Sequence, residues 1–325
     1  MLNQEYILFR GKKFFVKGGG LSLHDVGISD IEELKGLQNL IFLSNLNLSN
    51  NNISHIEGLE PLTKLCSLSL RNNKINEIGG LDSLENLTRL HLGNNNISEI
   101  TGLERLKLLK DLNLSKNKIR EIKGLDSLVN LEWLFLYSNR IRKIKGLERL
   151  KSLKFLNITK NHIKKIEGLS TLKNLESLSL GGNNISEIQN LEQLTNLRGL
   201  SLTCNKISEI EGLETLNKLK SLVLDYNNIT EIKGLENLED LVEFILTHNK
   251  IQRIPNFARE SLESLDIQHN RLDHIADLKN IDGIDTFISE NPVAKEVNEN
   301  YGGKVNYEGK LMWSEKLRRE LYGYS

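Results

Sequence analysis

Residues 131–154 read LEWLFLYSNRIRKIKGLERLKSLK, and this stretch is part of a motif that fills most of the 325-residue chain. Joined to its neighbours it gives Leu-x-x-Leu-x-Leu-x-x-Asn-x-Ile-x-x-Ile-x-Gly-Leu-x-x-Leu. A fixed period of this size indicates a repeat architecture, in which each repeat buries its apolar residues against the next. The asparagine of the motif recurs every 22 residues, at Asn51, Asn73, Asn95, Asn117, Asn139, Asn161, Asn183, Asn205, Asn227 and Asn249.

Two spacings predict the structure of one repeat. Leu46 and Leu48 alternate with polar residues, which predicts a short strand whose stacked copies form a parallel sheet on the concave side. Apolar residues on the return path are spaced by three, which favours 3₁₀ turns and extended segments on the convex side. We expect the asparagines to bond backbone groups of their own and the adjacent repeat. Glycines such as Gly58 precede an acid and are predicted to be N-caps of short helical turns.

Both ends of the array differ from the regular repeats. Tyr6–Phe9 and Phe14–Val16 flank a turn sequence, so residues 1–42 are predicted to form an N-terminal cap, a β-hairpin followed by a degenerate first repeat. Residues 43–291 are predicted to hold the regular repeats. Residues 292–325 are predicted to be a C-terminal cap with an amphipathic helix, in which Trp313, Leu317 and Leu321 share one face.

The 22-residue motif resembles the Sds22-like class of leucine-rich repeats, the class of the phosphatase-1 regulatory subunit, over roughly Leu43–Pro292. The resemblance implies an α/β fold, a leucine-rich-repeat solenoid shaped as a right-handed curved horseshoe that binds proteins on its concave face. Bacterial internalins share the repeat length but tend to have proline where this chain has glycine.

A phosphatase partner is also implied by the resemblance, but one feature argues against it. The phosphatase regulator alternates acidic and aromatic residues along its concave face. The matching positions here show no such alternation; they are Arg89, Asp111, Trp133, Phe155, Ser177 and Gly199.

Four aromatic residues mark the central repeats as a candidate binding surface. All four are predicted to point outward from two neighbouring strands, and large exposed aromatics supply much of the energy of interfaces. The alternative is that the rings pack on one another and shield the sheet. The residues are Trp133, Phe135, Tyr137 and Phe155.

The same repeats are strongly basic just after the asparagine. Residues 104–173 hold 18 basic and 7 acidic residues, whereas residues 186–300 hold 11 basic and 21 acidic residues, so the neutral total hides charges of +11 and −10. Stacked in register, these cations predict a basic rim, for which a merely solvated charged face is the alternative. The candidate contact residues of the rim are Arg140, Arg142, Lys143 and Lys164.

Catalytic and cofactor motifs are absent from the sequence, so we predict a non-enzymatic protein without cofactor or metal. His248 and His269 share a register and Asp266 is near, but two histidines without a clear third ligand make a weak metal site. The two cysteines lie six repeats apart, which predicts no disulfide. Together with the lack of a signal-peptide pattern or a membrane-spanning run, this predicts a cytoplasmic monomer.

The sequence therefore predicts an interaction scaffold. Its central repeats would bind an unidentified protein partner, with the aromatic residues as the anchor and the basic rim facing acidic residues of that partner. Binding of a polyanion, either nucleic acid or an anionic membrane, through the rim alone is the alternative.

Overall fold

The computed structural model describes residues 5–256, 261–301, 304–306 and 308–322. The chain divides into two compact units, residues 1–163 with 167–175 and residues 164–166 with 176–325. The described part of the first unit holds two 3₁₀ helices, Ile31–Glu33 and Leu37–Asn39, and nine strands. The strands are β1 (Tyr6–Phe9), β2 (Lys12–Phe15), β3 (Gly20–Ser22), β4 (Asn45–Asn47), β5 (Ser67–Ser69), β6 (Arg89–His91), β7 (Asp111–Asn113), β8 (Trp133–Phe135) and β9 (Phe155–Asn157).

The second unit continues the same kind of repeat and ends in helices. Its 3₁₀ helix is Ile275–Ile281, and its α-helices are α1 (Pro292–Asn300) and α2 (Glu315–Tyr322). Its strands are β10 (Ser177–Ser179), β11 (Gly199–Ser201), β12 (Ser221–Val223), β13 (Glu243–Ile245), β14 (Ser264–Asp266), β15 (Asp285–Phe287), β16 (Lys304–Val305) and β17 (Leu311–Met312).

The predicted parallel sheet is confirmed within each unit. Consecutive strands pair in parallel from β3 to β9 in the first unit and from β10 to β15 in the second. The central residues of adjacent strands are partners, so Leu112 lies opposite Leu134 and Leu134 opposite Leu156. All three are fully buried, because each strand turns one face into a core of stacked leucines.

The asparagine ladder is also confirmed, and Asn139 illustrates it. Its Nδ2 donates to the carbonyl oxygens of Leu136 and Leu114, each at 3.0 Å, and its Oδ1 accepts the Ile119 N–H at 3.0 Å. One buried side chain thus satisfies three backbone groups in its own and the preceding repeat.

The return path of the regular repeats is built from isolated turns. The Leu62 N–H donates to the Leu59 carbonyl at 2.9 Å, and the Leu65 N–H donates in turn to Leu62. Three-residue spacing therefore predicted the correct hydrogen-bond step. Single turns are too short to be regular helices, which explains why 3₁₀ helices occur only near the ends of the described array.

The glycines directly precede these turns, as predicted, and Gly36 is the N-cap of the 3₁₀ helix Leu37–Asn39. The sequence did not reveal why glycine itself is needed at most of these positions. Gly80 has φ +64, and a Cβ on it would lie 2.0 Å from the carbonyl oxygen of Ile56 in the preceding repeat. Glycine is needed for a left-handed backbone that passes close to that oxygen. Asn190 has φ +58 at the same register, and its Nδ2 donates to the Ile166 carbonyl at 2.7 Å.

The predicted N-terminal hairpin is confirmed. Strands β1 and β2 pair antiparallel, Ile7 and Phe9 are buried, and the backbone of Leu8 exchanges two hydrogen bonds with Lys35, at 2.9 and 3.1 Å. The degenerate first repeat lacks its own asparagine, and Asn51 of the next repeat compensates. Its Oδ1 accepts the N–H groups of three consecutive residues, Val26, Gly27 and Ile28.

At the C-terminal end, α2 provides the predicted helix and Leu317 is fully buried. Trp313 lies before the first residue of α2, so the proposed helical face was extended too far. Helix α1 was not predicted from the sequence. Asn291 at the N-cap followed by Pro292 at the first helical position was the available signal.

Candidate binding surface of the central repeats

Strands β8 and β9 carry Trp133, Phe135 and Phe155 on the face opposite the leucine core, and Tyr137 follows two residues after the end of β8. The side chain of Trp133 is exposed, with 40% of its surface accessible, whereas Phe135, Tyr137 and Phe155 are half-buried. The prediction that all four are exposed is therefore wrong for three of them.

The two phenylalanines account for part of the difference, because they pack on each other. Their ring centroids are 5.1 Å apart and their planes make an angle of 40°. Phe155 lies opposite Trp133 and Phe135 opposite Asn157 in the strand register, so the ring contact is diagonal. The surface is thus one exposed tryptophan beside a packed aromatic pair.

Charged groups surround Trp133. The Nζ of Lys154 lies 6.0 Å from the centroid of the Trp133 ring and 2.7 Å from Oε2 of Glu132. The hydrogen bond from Lys154, aided by Lys110 at 3.3 Å from the same carboxylate, lowers the pKa of Glu132 from its ordinary value. This network holds a cation over the exposed ring, at the outer limit of the distance for a cation–π contact.

On the other side of Trp133 lies an incompletely bonded carboxylate. Asp111 is the strand partner of Trp133, and its Oδ2 lies 3.1 Å from Nε2 of His91 and 3.5 Å from Nε of Arg89. Its buried Oδ1 has no hydrogen-bond partner among the described residues. A buried acceptor without a donor is rare, since it costs about 1 to 3 kcal/mol.

The basic residues beyond the asparagines line a surface pocket of about 420 Å³, called here the basic pocket. Lys145 pairs with Glu121 at 3.6 Å. In the described part of the chain, no ion pair joins a carboxylate to Arg120, Arg140, Arg142 or Lys143. The lining residues are Arg120, Glu121, Arg140, Arg142, Lys143, Lys145 and His162.

Comparison of the repeats shows that these cations are local departures from the pattern. Three residues after the asparagine, three consecutive repeats carry Arg120, Arg142 and Lys164, while the other repeats from Asn51 to Asn249 carry uncharged residues such as Ser98 and Ser186. One position later, Lys143 and Lys165 interrupt a run of glutamates, which are Glu77, Glu99, Glu121, Glu187, Glu209 and Glu231.

A protein-family model matches the same repeats that the sequence period defines. The family described as leucine-rich repeats (two copies) matches residues 63–105, 85–127, 129–171 and 173–215. The chain is a leucine-rich-repeat protein.

Solved structures of similar fold come from several organisms. The internalin InlF of Listeria monocytogenes is 27% identical with a TM-score of 0.67, over 82% of this chain and 86% of that one. A leucine-rich-repeat protein of Leptospira interrogans is 27% identical with a TM-score of 0.68, over 82% and 76% of the two chains. The Toll-like receptor TLR13, in a complex with the single-stranded RNA ssRNA13, is 26% identical with a TM-score of 0.65, over 78% and 43%. No curated protein matches the sequence significantly.

An internalin thus lies among the structural neighbours, although its class was set aside at the sequence level because of the glycine in the motif. The Sds22-like repeats and the internalin repeats have the same length. Similarity to these structures therefore supports the fold of this leucine-rich-repeat protein, but it does not distinguish between the two subclasses.

The structure brings some of the predicted site residues together. Arg140, Arg142 and Lys143 line one pocket, whereas Lys164 belongs to the second compact unit, where it is exposed. The sequence analysis did not select His162 or Asp111. His162 shares the register of Arg140, a signal that column-by-column comparison of the repeats would have found.

The histidine pair considered for a metal has the wrong geometry. The rings of His248 and His269 stack with centroids 4.0 Å apart and planes within 9°, and Tyr226 stacks on His248 at 4.1 Å. Ring nitrogen lone pairs lie in the ring planes, so stacked rings do not converge on one ion. The described residues contain no group of three metal-ligating side chains.

Among the described residues, no helix is long and apolar enough to cross a membrane. Cys66 and Cys204 are both exposed, and neither forms a disulfide bond.

Proposed function

We propose that this leucine-rich-repeat protein is a non-enzymatic interaction scaffold, and that its central repeats bind a protein partner carrying acidic residues. The observation that carries the proposal is the exposed Trp133 on the open face of the sheet. Leucine-rich-repeat sheets are extended binding surfaces, and tryptophan is enriched among the residues that dominate interface energies.

The surroundings of Trp133 suit a partner that buries it. Half-buried Phe135 and Phe155 form a packed apolar border beside the exposed ring. The unpaired cations Arg140, Arg142 and Lys143 would attract acidic groups and speed association.

The test is affinity capture from the native host with the wild type, Trp133→Ala and Phe42→Ala. Phe42 is a matched control, because it is also an aromatic residue and is 71% exposed, but lies outside the proposed site. A partner retained by Phe42→Ala and lost by Trp133→Ala supports the proposal. A partner held equally by both variants would place the binding site elsewhere.

Polyanion binding through the basic pocket is the second candidate function. The unpaired cations support it, as does the structural likeness to TLR13, whose structure is a complex with single-stranded RNA. Salt separates the two candidates. Polyanion affinity falls steeply as ionic strength rises, whereas a complex anchored by Trp133 keeps most of its affinity.

We further propose membership of the Sds22-like class and residence in the cytoplasm. The Ile-x-x-Ile-x-Gly-Leu motif supports the former, and two exposed thiols outside any disulfide support a reducing compartment. Fractionation of native cells tests the location. Capture of a phosphatase would show that the missing acidic and aromatic alternation is not required for that partner.

A further inference from the structure

The basic pocket differs from an ordinary charged surface in how its charges are balanced. Elsewhere a lysine of one repeat pairs with a glutamate of the preceding repeat, as Lys123 does with Glu99 at 2.7 Å and Lys233 with Glu209 at 2.8 Å. At the register of those glutamates the pocket has Lys143. The local charge is therefore reversed at the position that normally supplies the counter-charge.

The neighbouring acid does not restore the balance. Glu167 occupies the register of Lys145 in the next repeat, yet no ion pair joins it to Lys143 in the part of the chain that the structure describes. Glu121, the single acid in the lining, is taken by Lys145 at 3.6 Å. Like charges held around one concavity repel one another and concentrate anions from solution.

The arginine side chains of the basic pocket indicate which class of anion it can bind. Three of the unpaired cations are arginines, Arg120, Arg140 and Arg142. A guanidinium offers parallel N–H donors that match the oxygens of carboxylate and phosphate groups. One carboxylate can engage one guanidinium in this way, whereas several guanidiniums around a single pocket call for an anion with oxygens on several sides and more than one charge.

We propose that the basic pocket binds a compact, multiply charged phosphate group, as in a phosphate ester or pyrophosphate. Its volume of about 420 Å³ is large enough to hold such a group. This inference rests on the proposed function in assigning the basic pocket to binding, and it names the acidic group that the pocket accepts.

Calorimetric titration with inorganic pyrophosphate at low ionic strength tests the proposal. The informative variant is Arg120→Ser combined with Arg142→Ser, because serine is the residue of this register in Ser98 and Ser186, so the fold tolerates it. The matched control is Arg105→Ser combined with Arg149→Ser. It removes the same charge from exposed arginines, Arg149 in the repeat of Arg142 and Arg105 in the repeat before that of Arg120, at a register that holds Ser83 and Ser127 elsewhere.

We expect one binding site per chain, weakened about tenfold or more by the pocket variant and less than about threefold by the control, since charge-assisted hydrogen bonds are lost only in the former. Equal weakening by both variants would overturn the proposal, because net charge alone would then explain the binding. No measurable binding of pyrophosphate by the wild type would overturn it as well.

Three further probes identify the ligand. Phenyl phosphate bound with the same dependence on Arg120 and Arg142 supports a phosphoryl group carried on an ester, and binding of pyrophosphate alone supports a free diphosphate. Citrate bound as tightly as pyrophosphate would refute phosphate selectivity. If the affinity for single-stranded RNA increases with the length of the RNA, the basic residues form an extended polyanion-binding surface and the proposed phosphate site is wrong. These titrations need no protein partner, so their failure is distinct from failure of the Trp133 capture experiment.

Discussion

The side chain of Asn190 donates a 2.7 Å hydrogen bond from its Nδ2 to the backbone carbonyl of Ile166, in the preceding repeat. Eight of the regular repeats have glycine at this register, and at Gly80 a Cβ would lie 2.0 Å from the corresponding oxygen. The backbone is left-handed at both Asn190 and Gly80. Asparagine tolerates that conformation and can also bond the carbonyl that would clash with other side chains.

Gly80→Ala is therefore expected to lower the free energy of unfolding by more than about 2 kcal/mol, from left-handed strain and the clash with Ile56 together. Gly11→Ala is the control, since Gly11 has φ +74 but nothing within 4 Å of its would-be Cβ. Urea denaturation measures both. Equal losses would show that strain alone matters at this register.

Asn139→Ala should lower the free energy of unfolding by about 1 to 3 kcal/mol, because it leaves buried backbone groups of three residues without partners. Ser179→Ala, on the half-buried open face of β10, should change it little. Coincident denaturant midpoints for the two variants would contradict the structural role of the asparagine ladder.

Asp277 should make stability depend on pH. Burial favours a raised pKa, but hydrogen bonds from Arg253 at 2.7 and 2.8 Å and from the Ile254 N–H at 3.0 Å outweigh it and lower the pKa of this carboxyl. The stabilisation is therefore present above the unfolded-state pKa of about 3.9 and is lost as pH falls through the lower folded pKa.

Asp277→Asn is accordingly expected to cost about 1.5 to 3 kcal/mol at pH 7, since charged hydrogen bonds are lost, and progressively less below pH 4. Urea midpoints at pH 7 and pH 3 measure the difference. The exposed Asp240→Asn is the control. A destabilisation that is the same at both pH values would exclude the charge of Asp277 as its cause.

The aromatic residues should separate by their effect on folding. Phe155→Ala removes a ring packed on Phe135 and is expected to lower the free energy of unfolding by about 1 kcal/mol or more. Trp133→Ala removes an exposed ring and should change it by less than about 0.5 kcal/mol. Thermal and urea unfolding check the order, which would be reversed if Trp133 were mainly a structural residue.

Once a partner is available, Trp133 and the basic pocket should affect different rates. Trp133→Ala should mainly raise the dissociation rate, by a factor that corresponds to about 2 kcal/mol of binding free energy, because the docked complex lacks its buried anchor. Arg140→Glu with Arg142→Glu should mainly slow association, and the effect should shrink with added salt, which screens charges over about 10 Å. Surface plasmon resonance at two salt concentrations resolves the rates. If the arginine variant instead changes only the dissociation rate, and by the same factor at both salt concentrations, electrostatic steering is ruled out.

The period of the sequence was sufficient to predict the strands, the core and the asparagine ladder. These features recur in every repeat, so one local pattern of leucines and asparagines specifies them many times over. The pattern predicted that Asn139 bonds backbone groups of its own and an adjacent repeat, and the structure identified those groups. Helix α1 was not predicted, because it lies outside the repeats and only one short motif, Asn291 followed by Pro292, marks its start.

The tertiary structure alone decided how side chains of neighbouring strands pack on the open face of the sheet, and which of them remain exposed. Alternation places Phe135 and Phe155 on the same face as Trp133, but only the diagonal packing of their rings leaves Trp133 exposed while burying part of the other two. The glycine register is a similar case. The sequence shows that glycine recurs at this register, but the reason at Gly80 is the carbonyl oxygen of Ile56 in the preceding repeat, a contact that no residue spacing reveals.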